Sequence, residues 1–291
     1  MERSARNHRS LALLVCGKTT GKTYAENGDY IDIFTRFLHA SLDAVQGPQS
    51  SLEKSNHDPR WQFTLDPYDV VKRQEYPTEE KLNDYHGVII TGSPAAAYEN
   101  VEWVNKLLGF VKHLAEDKPQ IKLIGICFGH QIIARALGGS CVPNGGRWEI
   151  GPTPVALTEL GQRVFGVESL NIQEMHRDHV PSEGTPSGFE LLGSTELSPN
   201  QGMVRFLPSS PDNTHGLFAS IQIITTQGHP EFTEPIVTSL VETRSESGVI
   251  DVEAARDCER RRFWRNDGVD VIGRAVWGVL GISGDAVTEA Q

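Results

Sequence analysis

The sequence predicts an α/β protein: a sheet containing parallel strands, covered by helices on both faces. Apolar runs at 11–16, 85–91, 121–126 and 218–226 read as buried strands. Segments with apolar residues at helical spacing lie between them, and repeated strand, loop and helix units build that kind of sheet. The clearest unit is 121–139, where Ile121, Leu123, Ile124 and Ile126 lead to Cys127 and a helix starts at once.

In chain order, the first strand (11–16) leads into a Gly-rich loop and then a helix from about Asp29, with Ile31, Ile33, Phe34, Phe37 and Leu38 apolar. The loop Gly17-Lys18-Thr19-Thr20-Gly21-Lys22-Thr23 resembles a phosphate-binding loop. The interval between its glycines is too short, however, which would misplace the amides that cradle phosphate. Residues 47–60 are polar with Pro, Ser and Asn, so an exposed insertion is expected. A strand at 61–65 and a segment with Val70 and Val71 follow, and the strand 85–91 runs into a glycine turn, TGS. Val104, Leu107, Leu108, Val111 and Leu114 share one face of a helix over 103–115, which ends before Pro119.

After Cys127, Ile132, Ile133, Ala136 and Leu137 recur at helical spacing until Gly138 and Gly139 close the helix. Residues 141–157 read as extended, 170–216 as strand-rich and turn-rich, and 218–226 as another strand. Helices are expected at 236–243 and 269–280, the second with Val269, Ile272, Val276, Val279 and Leu280 in phase, and 282–291 reads as a frayed end. The expected organisation is one α/β domain over 11–245, with 246–291 a helical extension packing on it.

A formal net charge of −11 over 291 residues argues against a nucleic-acid surface, which wants clustered Lys and Arg. The one basic cluster, 256–265, contains Glu259 and reads as a solvated helix face. Cys16, Cys127, Cys141 and Cys258 are widely spaced, with no CxxC pair and no Cys/His set at zinc spacing. Neither a disulfide framework nor a metal site is expected, and a reducing cytoplasm fits. The run 11–15 is far too short to span a membrane, and the charged residues behind it offer no secretory cleavage site. Arg3, Arg6 and Arg9 faintly suggest a transit peptide, but Glu2 and the brevity of the segment count against one.

Gly125-Ile126-Cys127-Phe128-Gly129 has the layout of a nucleophile elbow, with sulfur in place of oxygen. Such a turn strains the nucleophile's backbone, and flanking glycines let strand and helix pass closely. The positive end of a helix dipole favours the thiolate, the form that attacks. An inert core cysteine after a buried strand is the alternative reading of the same residues. Downstream, His229 and Glu231 stand two apart at a strand end, and Pro230 between them pushes His229 toward extended backbone. Both side chains therefore fall on one side, where the carboxylate can orient the imidazole. Strand carboxyl ends are where ligand sites gather in α/β sheets, so the two signals support each other.

GICFGHQ followed far downstream by QGHPEF resembles the class I glutamine amidotransferases, the Cys-His-Glu glutaminases. The resemblance spans 11–240, in the order first strand, TGS loop, cysteine elbow, WEIG segment, HRDH loop and HPE. It implies a flavodoxin-like fold with a mostly parallel central sheet. It also implies a catalytic triad with Cys127 as nucleophile, His229 as general base and acid, and Glu231 as orienting carboxylate. An oxyanion hole from backbone amides at Gly92, Ser93 and Phe128 is implied as well, with Gln131 and the loop His176, Arg177 and Asp178 contacting substrate. No metal or other cofactor is required. Trp148, Glu149 and the His176/His179 pair are otherwise read as structural or pocket-lining residues.

Many relatives that use free glutamine carry a His-Gly-Asp loop where this chain has His176-Arg177-Asp178. Arginine changes both backbone freedom and charge there. The HRD form resembles stand-alone eukaryotic members, some of them similar to γ-glutamyl peptide hydrolases. No ATP-binding synthetase domain is read after residue 240, so any ammonia acceptor is expected to be a separate synthase. The leading expectation is a cytoplasmic glutaminase that forms a Cys127 thioester and releases ammonia for such a partner. A γ-glutamyl peptidase acting on glutathione or its conjugates is the alternative. A catalytically silent binding protein is the third reading, and the intact Cys-His-Glu set weighs against it.

Overall fold

The computed structural model describes residues 7–47, 60–208 and 216–282. Most of the polar run 47–60, the tail beyond Ile282, and Arg3 and Arg6 lie outside the described residues. The strands are β1 (His8–Val15), β2 (Gln62–Asp69), β3 (Gly87–Ile90), β4 (Lys122–Ile126), β5 (Val142–Pro143), β6 (Glu149–Leu157), β7 (Ser169–His176), β8 (Asp178–His179), β9 (Phe189–Ser194), β10 (Gly202–Phe206) and β11 (Ile221–Thr226). The helices are α1 (Gly21–Asn27), α2 (Tyr30–Gln46), α3 (Glu79–Leu82), α4 (Glu102–Asp117), α5 (Phe128–Ala136), α6 (Glu159–Phe165), α7 (Leu217–Ser220), α8 (Glu234–Glu246), α9 (Val252–Arg261) and α10 (Arg274–Val279).

Nine strands form one sheet in the order β2-β1-β3-β4-β11-β10-β9-β6-β7, and β5 pairs with β8 apart from it. From β2 to β11 the neighbours are parallel, and this half holds the strands that end at Cys127 and before His229. From β11 outward the neighbours are antiparallel. Pro67 lies within β2, where an edge strand tolerates its missing N–H.

Alternation along the central strands divides the core in two. Leu11 and Leu13 of β1 join Phe34 of α2 and Trp277 of α10, whereas Ala12 and Leu14 join Val104 and Leu107 of α4 and Ile132 of α5. Ile124 and Leu123 of β4 divide in the same way, so each strand packs helices on both faces. Each fully buried Leu or Ile of this kind contributes about 1.5–3 kcal/mol. Helix α2 starts where the sequence places it, because Asp29 and Asp32 form a reciprocal capping box at 3.0 and 3.1 Å. Trp277 is completely buried and donates to the Ser41 hydroxyl at 2.9 Å, which ties α10 to α2.

Several expected boundaries move. The Gly-rich loop after β1 contains a helix, α1, starting at Gly21 with φ 57°. The run 218–226 begins as the helical turn α7, so its strand is shorter than expected. The stretch 269–280 is two pieces, a π-helical turn over Gly268–Gly273 and then α10. Helix α9 occupies the start of the basic cluster and lies against β6, with Arg261 held by Asp257 at 2.6 Å and donating to the Ile150 carbonyl at 2.8 Å.

Candidate active site

Cys127 lies where β4 becomes α5, with φ 51° and ψ −103°. Gln74 is the other non-glycine residue with positive φ among those described, so Cys127 carries backbone strain that its surroundings must impose. The flanking glycines permit it. A β-carbon at Gly125 would lie 2.8 Å from the Gly129 carbonyl oxygen, and one at Gly129 would run into the Ile90 carbonyl of β3. The Cys127 amide still continues the sheet ladder, donating to the Thr226 carbonyl at 2.9 Å. Phe128 opens α5, where a backbone N–H has no intrahelical acceptor and is free to face an anion. Its ring stacks on Trp103 with centroids 5.5 Å apart.

His229 and Glu231 follow β11, the strand next to β4. The His229 amide donates to the Gln173 carbonyl at 2.8 Å, which fixes this segment against β7. His229 Nδ1 lies 2.7 Å from Glu231 Oε1, and both residues are buried. Nδ1 is thus committed to the carboxylate, and Nε2 is left to face the thiol. Burial alone would push the His229 pKa down, but the charges of Glu231 and Cys127 and hydrogen bonds to both outweigh it and raise it to about 10. Phe232 stacks on the His229 ring, with centroids 4.0 Å apart and planes 3° from parallel. Gly92 of the TGS turn packs against the edge of this ring, where a β-carbon would come 2.7 Å from His229 Cε1. Thr91 anchors that turn, its hydroxyl accepting from the Cys16 amide and donating to the Gly92 carbonyl, both at 2.9 Å. Ser93 adds a local brace by accepting from the Ala95 amide at 3.1 Å.

Gln131, His176 and Asp178 also converge, through a closed ring of polar contacts. Gln131 Nε2 donates to the Asp178 carbonyl at 2.9 Å and to Gln227 Oε1 at 3.0 Å. The Gln227 amide donates to the Gln201 carbonyl, and Gln201 Nε2 donates to Glu149 Oε2 at 2.9 Å. Glu149 Oε2 lies 3.1 Å from His176 Nε2, and His176 Nδ1 donates to the Asp178 carbonyl at 3.0 Å, which closes the ring. It links the helix behind the nucleophile, the segment before His229 and the HRD loop.

Both ring nitrogens of His176 are thus engaged within the protein, in keeping with a structural role for its side chain. It is buried, and Nε2 also lies 3.1 Å from Glu174 Oε2. Burial opposes charge on this imidazole, yet the two carboxylates raise its pKa well above the ordinary value. Burial likewise opposes charge on Glu149, but His176, Thr195 and Gln201 outweigh it and hold the carboxyl below its usual range. Glu174 lacks such extra donors, and burial pushes its pKa up. Gln131 spends its amide nitrogen on the ring, so Oε1 is the part left for a ligand. Burial raises Asp178, whose Oδ1 is enclosed and has no hydrogen-bond partner among the described residues. Arg177 is exposed, with its guanidinium over the Trp148 ring.

Sequence reasoning missed Tyr30 and Arg244. Tyr30 is the first residue of α2 and packs against Gly17, where a β-carbon would lie 3.1 Å from its ring. Burial first, then the charges of Glu231 and Cys127, push its phenol up. Arg244 of α8 stands over Trp148 and feels the charges of Tyr30 and Cys127. Neither carries a motif. Tyr30 reads as one more apolar helix residue, and Arg244 as one more charge on a helix of mixed polarity.

The arrangement provides a strained thiol at a helix start, an imidazole held by a buried carboxylate, and backbone donors on two sides, which together suit acyl transfer. Residues 52–235 match the family model described as Glutamine amidotransferase class-I. A putative glutamine amidotransferase-like protein of Schizosaccharomyces pombe is 35% identical over 215 residues, covering 74% of this chain and 75% of its own. Gamma-glutamyl peptidase 4 of Arabidopsis thaliana is 29% identical over 209 residues, covering 66% and 74%. Among solved structures, a glutamine amidotransferase from Thermotoga maritima superposes with a TM-score of 0.59 at 18% identity, covering 94% of this chain and 99% of its own, a likeness of fold.

Proposed function

The chain belongs to the class-I glutamine amidotransferase family, and from that premise we propose that it hydrolyses the γ-amide of glutamine through a thioester on Cys127 and passes the ammonia to a separate synthase. The observation that carries this reading is the buried His229 Nδ1–Glu231 Oε1 contact of 2.7 Å, set beside a strained cysteine at the start of α5.

In the proposed reaction the Cys127 thiolate attacks the γ-carbonyl carbon, and a C–S bond forms as the carbonyl oxygen takes up negative charge. Backbone N–H groups of Gly92, Ser93 and Phe128 receive that oxyanion. His229 starts as the imidazolium, favoured by Glu231 and the thiolate, and gives its Nε2 proton to the leaving nitrogen as the C–N bond breaks. Acylation removes the thiolate charge, one of the influences that hold the proton on His229. The neutral imidazole then takes a proton from water as that water attacks the thioester, and glutamate leaves with return of the thiolate. In this reading Asp178, whose Oδ1 has no hydrogen-bond partner among the described residues, pairs with the donor's α-ammonium.

All four cysteines are free and buried, which fits a reducing cytoplasm. Among the described residues no helix is long and apolar enough to cross a membrane. A γ-glutamyl peptidase is the second reading, favoured by the arginine that stands over Trp148 where a glycine loop would leave the site neutral. The deciding experiment incubates the purified chain with glutamine, glutathione and glutathione conjugates and measures ammonia and glutamate together. Equal release of both from glutamine supports the glutaminase. Glutamate without ammonia, from the peptides alone, replaces it with the peptidase.

A further inference from the structure

Two guanidinium groups stand over one indole next to the candidate site. Arg177 Cζ lies 5.5 Å and Arg244 Cζ 5.6 Å from the Trp148 ring centroid. The ring is pinned, since Trp148 Nε1 donates to the Val249 carbonyl at 3.1 Å and the next residue, Glu149, is part of the buried hydrogen-bonded ring. Arg177 is pinned at its backbone by His176 and Asp178, its neighbours in that ring. Arg244 is carried by α8, which begins directly after the His229–Glu231 segment.

Like Arg147 and Arg256, these two arginines lack an ion pair among the described residues, although the chain carries a net charge of −11. Arg260, Arg261, Arg262 and Arg265, at the end of α9 and just beyond it, each have one. Bringing two like charges to one half-buried indole without a counter-ion is unfavourable, and an anion between them relieves it. Burial works most strongly against the proton on Arg244, while the charges of Tyr30 and Cys127 favour it and that of Arg177 opposes it. A planar, forked donor matches a carboxylate in two parallel hydrogen bonds.

Position decides which carboxylate. The donor's glutamyl end is taken by the Asp178 and Gln131 side, and its leaving group must face His229, which protonates it. Arg244 projects from the helix that continues from His229. We infer that Arg177, Trp148 and Arg244 form a carboxylate-binding platform, selecting γ-glutamyl donors that carry a free carboxylate beyond the scissile bond. This rests on the second reading, Cys127 as the nucleophile of a γ-glutamyl peptidase, since glutamine carries no carboxylate beyond its scissile bond, and it assigns the leaving-group side of that site to anionic peptides.

The test measures binding so that it does not depend on turnover. Calorimetry on the full chain carrying Cys127→Ala compares γ-glutamyl-cysteinyl-glycine with its C-terminal amide, which differs only in the carboxylate. The acid is expected to bind roughly ten- to a hundredfold tighter than the amide, the range for one charge-assisted contact. Arg244→Gln in the same background should collapse that ratio toward one, and Arg244→Lys, which keeps the charge and the helix, should restore part of it. Equal binding of acid and amide, or a ratio indifferent to Arg244→Gln, overturns the platform. Selective binding of the acid together with a wild-type chain that cleaves no γ-glutamyl donor would sink the hydrolase reading and leave the platform standing.

Discussion

A β-carbon at Gly92 would lie 2.7 Å from Cε1 of His229, so the TGS turn and the imidazole are fitted to each other without room for a methyl group. Phe232 covers a face of the same ring, with its own ring stacked 4.0 Å from that of His229. Gly92→Ala must therefore shift the turn, the imidazole or both. A displacement near 1 Å in a positioned catalytic group costs about a hundredfold. The variant is expected to lose roughly ten- to a hundredfold in kcat while keeping a wild-type melting temperature to within about 2 °C, the shift that ~1 kcal/mol produces in a chain of this size. Turnover equal to wild type would show that the turn does not set the ring's position.

The four cysteines separate by chemistry. Burial pushes Cys16 up to about 12 and Cys258 up to about 11, and raises Cys141 further, so all three remain thiols at neutral pH. Cys127 alone stands at a helix start facing an imidazole. An electrophilic glutamine analogue at pH 7 is expected to label Cys127 in preference to the other three, as read by mass spectrometry of the digested chain. Equal labelling after Cys127→Ala would remove it as the nucleophile.

The elbow was legible in the sequence because its constraints are local: Gly125 and Gly129 press on each other across four positions, and the strand and helix that meet there are long enough to show their periods. The His229–Glu231 pair was legible for the same reason, with Pro230 fixing the extension between them. The antiparallel half of the sheet showed only as a strand-rich stretch, since the pairing of β6 with β9 and of β9 with β10 leaves no local trace. The π-helical turn at Gly268 was hidden because apolar spacing alone does not separate it from an α-helix, whereas the structure shows the Pro230 backbone pressing on that glycine. His176 was legible as a polar residue near the site but not as part of a buried ring, because Glu149 meets it from the neighbouring strand and Gln201, which holds Glu149, comes from a distant loop.

His229 and Glu231 are expected to act as a unit. His229→Ala should abolish measurable turnover, and Glu231→Gln should lower kcat by about three to four orders of magnitude, as changing the orienting acid of a triad does. The same pair gives a pH signature in stability. The raised pKa of His229, about 10 when folded against about 6.5 when unfolded, contributes stability in full below the lower value. That contribution fades as pH rises toward the higher one. The melting temperature of wild type minus that of His229→Gln should therefore be greatest near pH 6 and shrink steadily toward pH 10. A difference that grows with pH would show that the folded imidazole is neutral.

His176 is expected to hold the HRD loop through charge rather than through shape. Its Nδ1 donates to a backbone carbonyl while Nε2 stands between two carboxylates, an arrangement that needs both ring protons. His176→Gln leaves the Glu149 carboxylate buried without its cation, which costs about 3–5 kcal/mol for a broken buried pair. Adding Glu149→Gln removes that orphaned charge and should return much of the loss. The double variant is thus expected to melt above the single one, an order that simple cavity formation would not produce. Because Asp178 and Arg177 follow His176 directly, the double variant should also show a raised KM with a smaller change in kcat, since the loop that meets the donor has lost its anchor while Cys127 and His229 keep theirs. A double variant that melts at or below His176→Gln, with KM unchanged, would assign the cluster to packing alone.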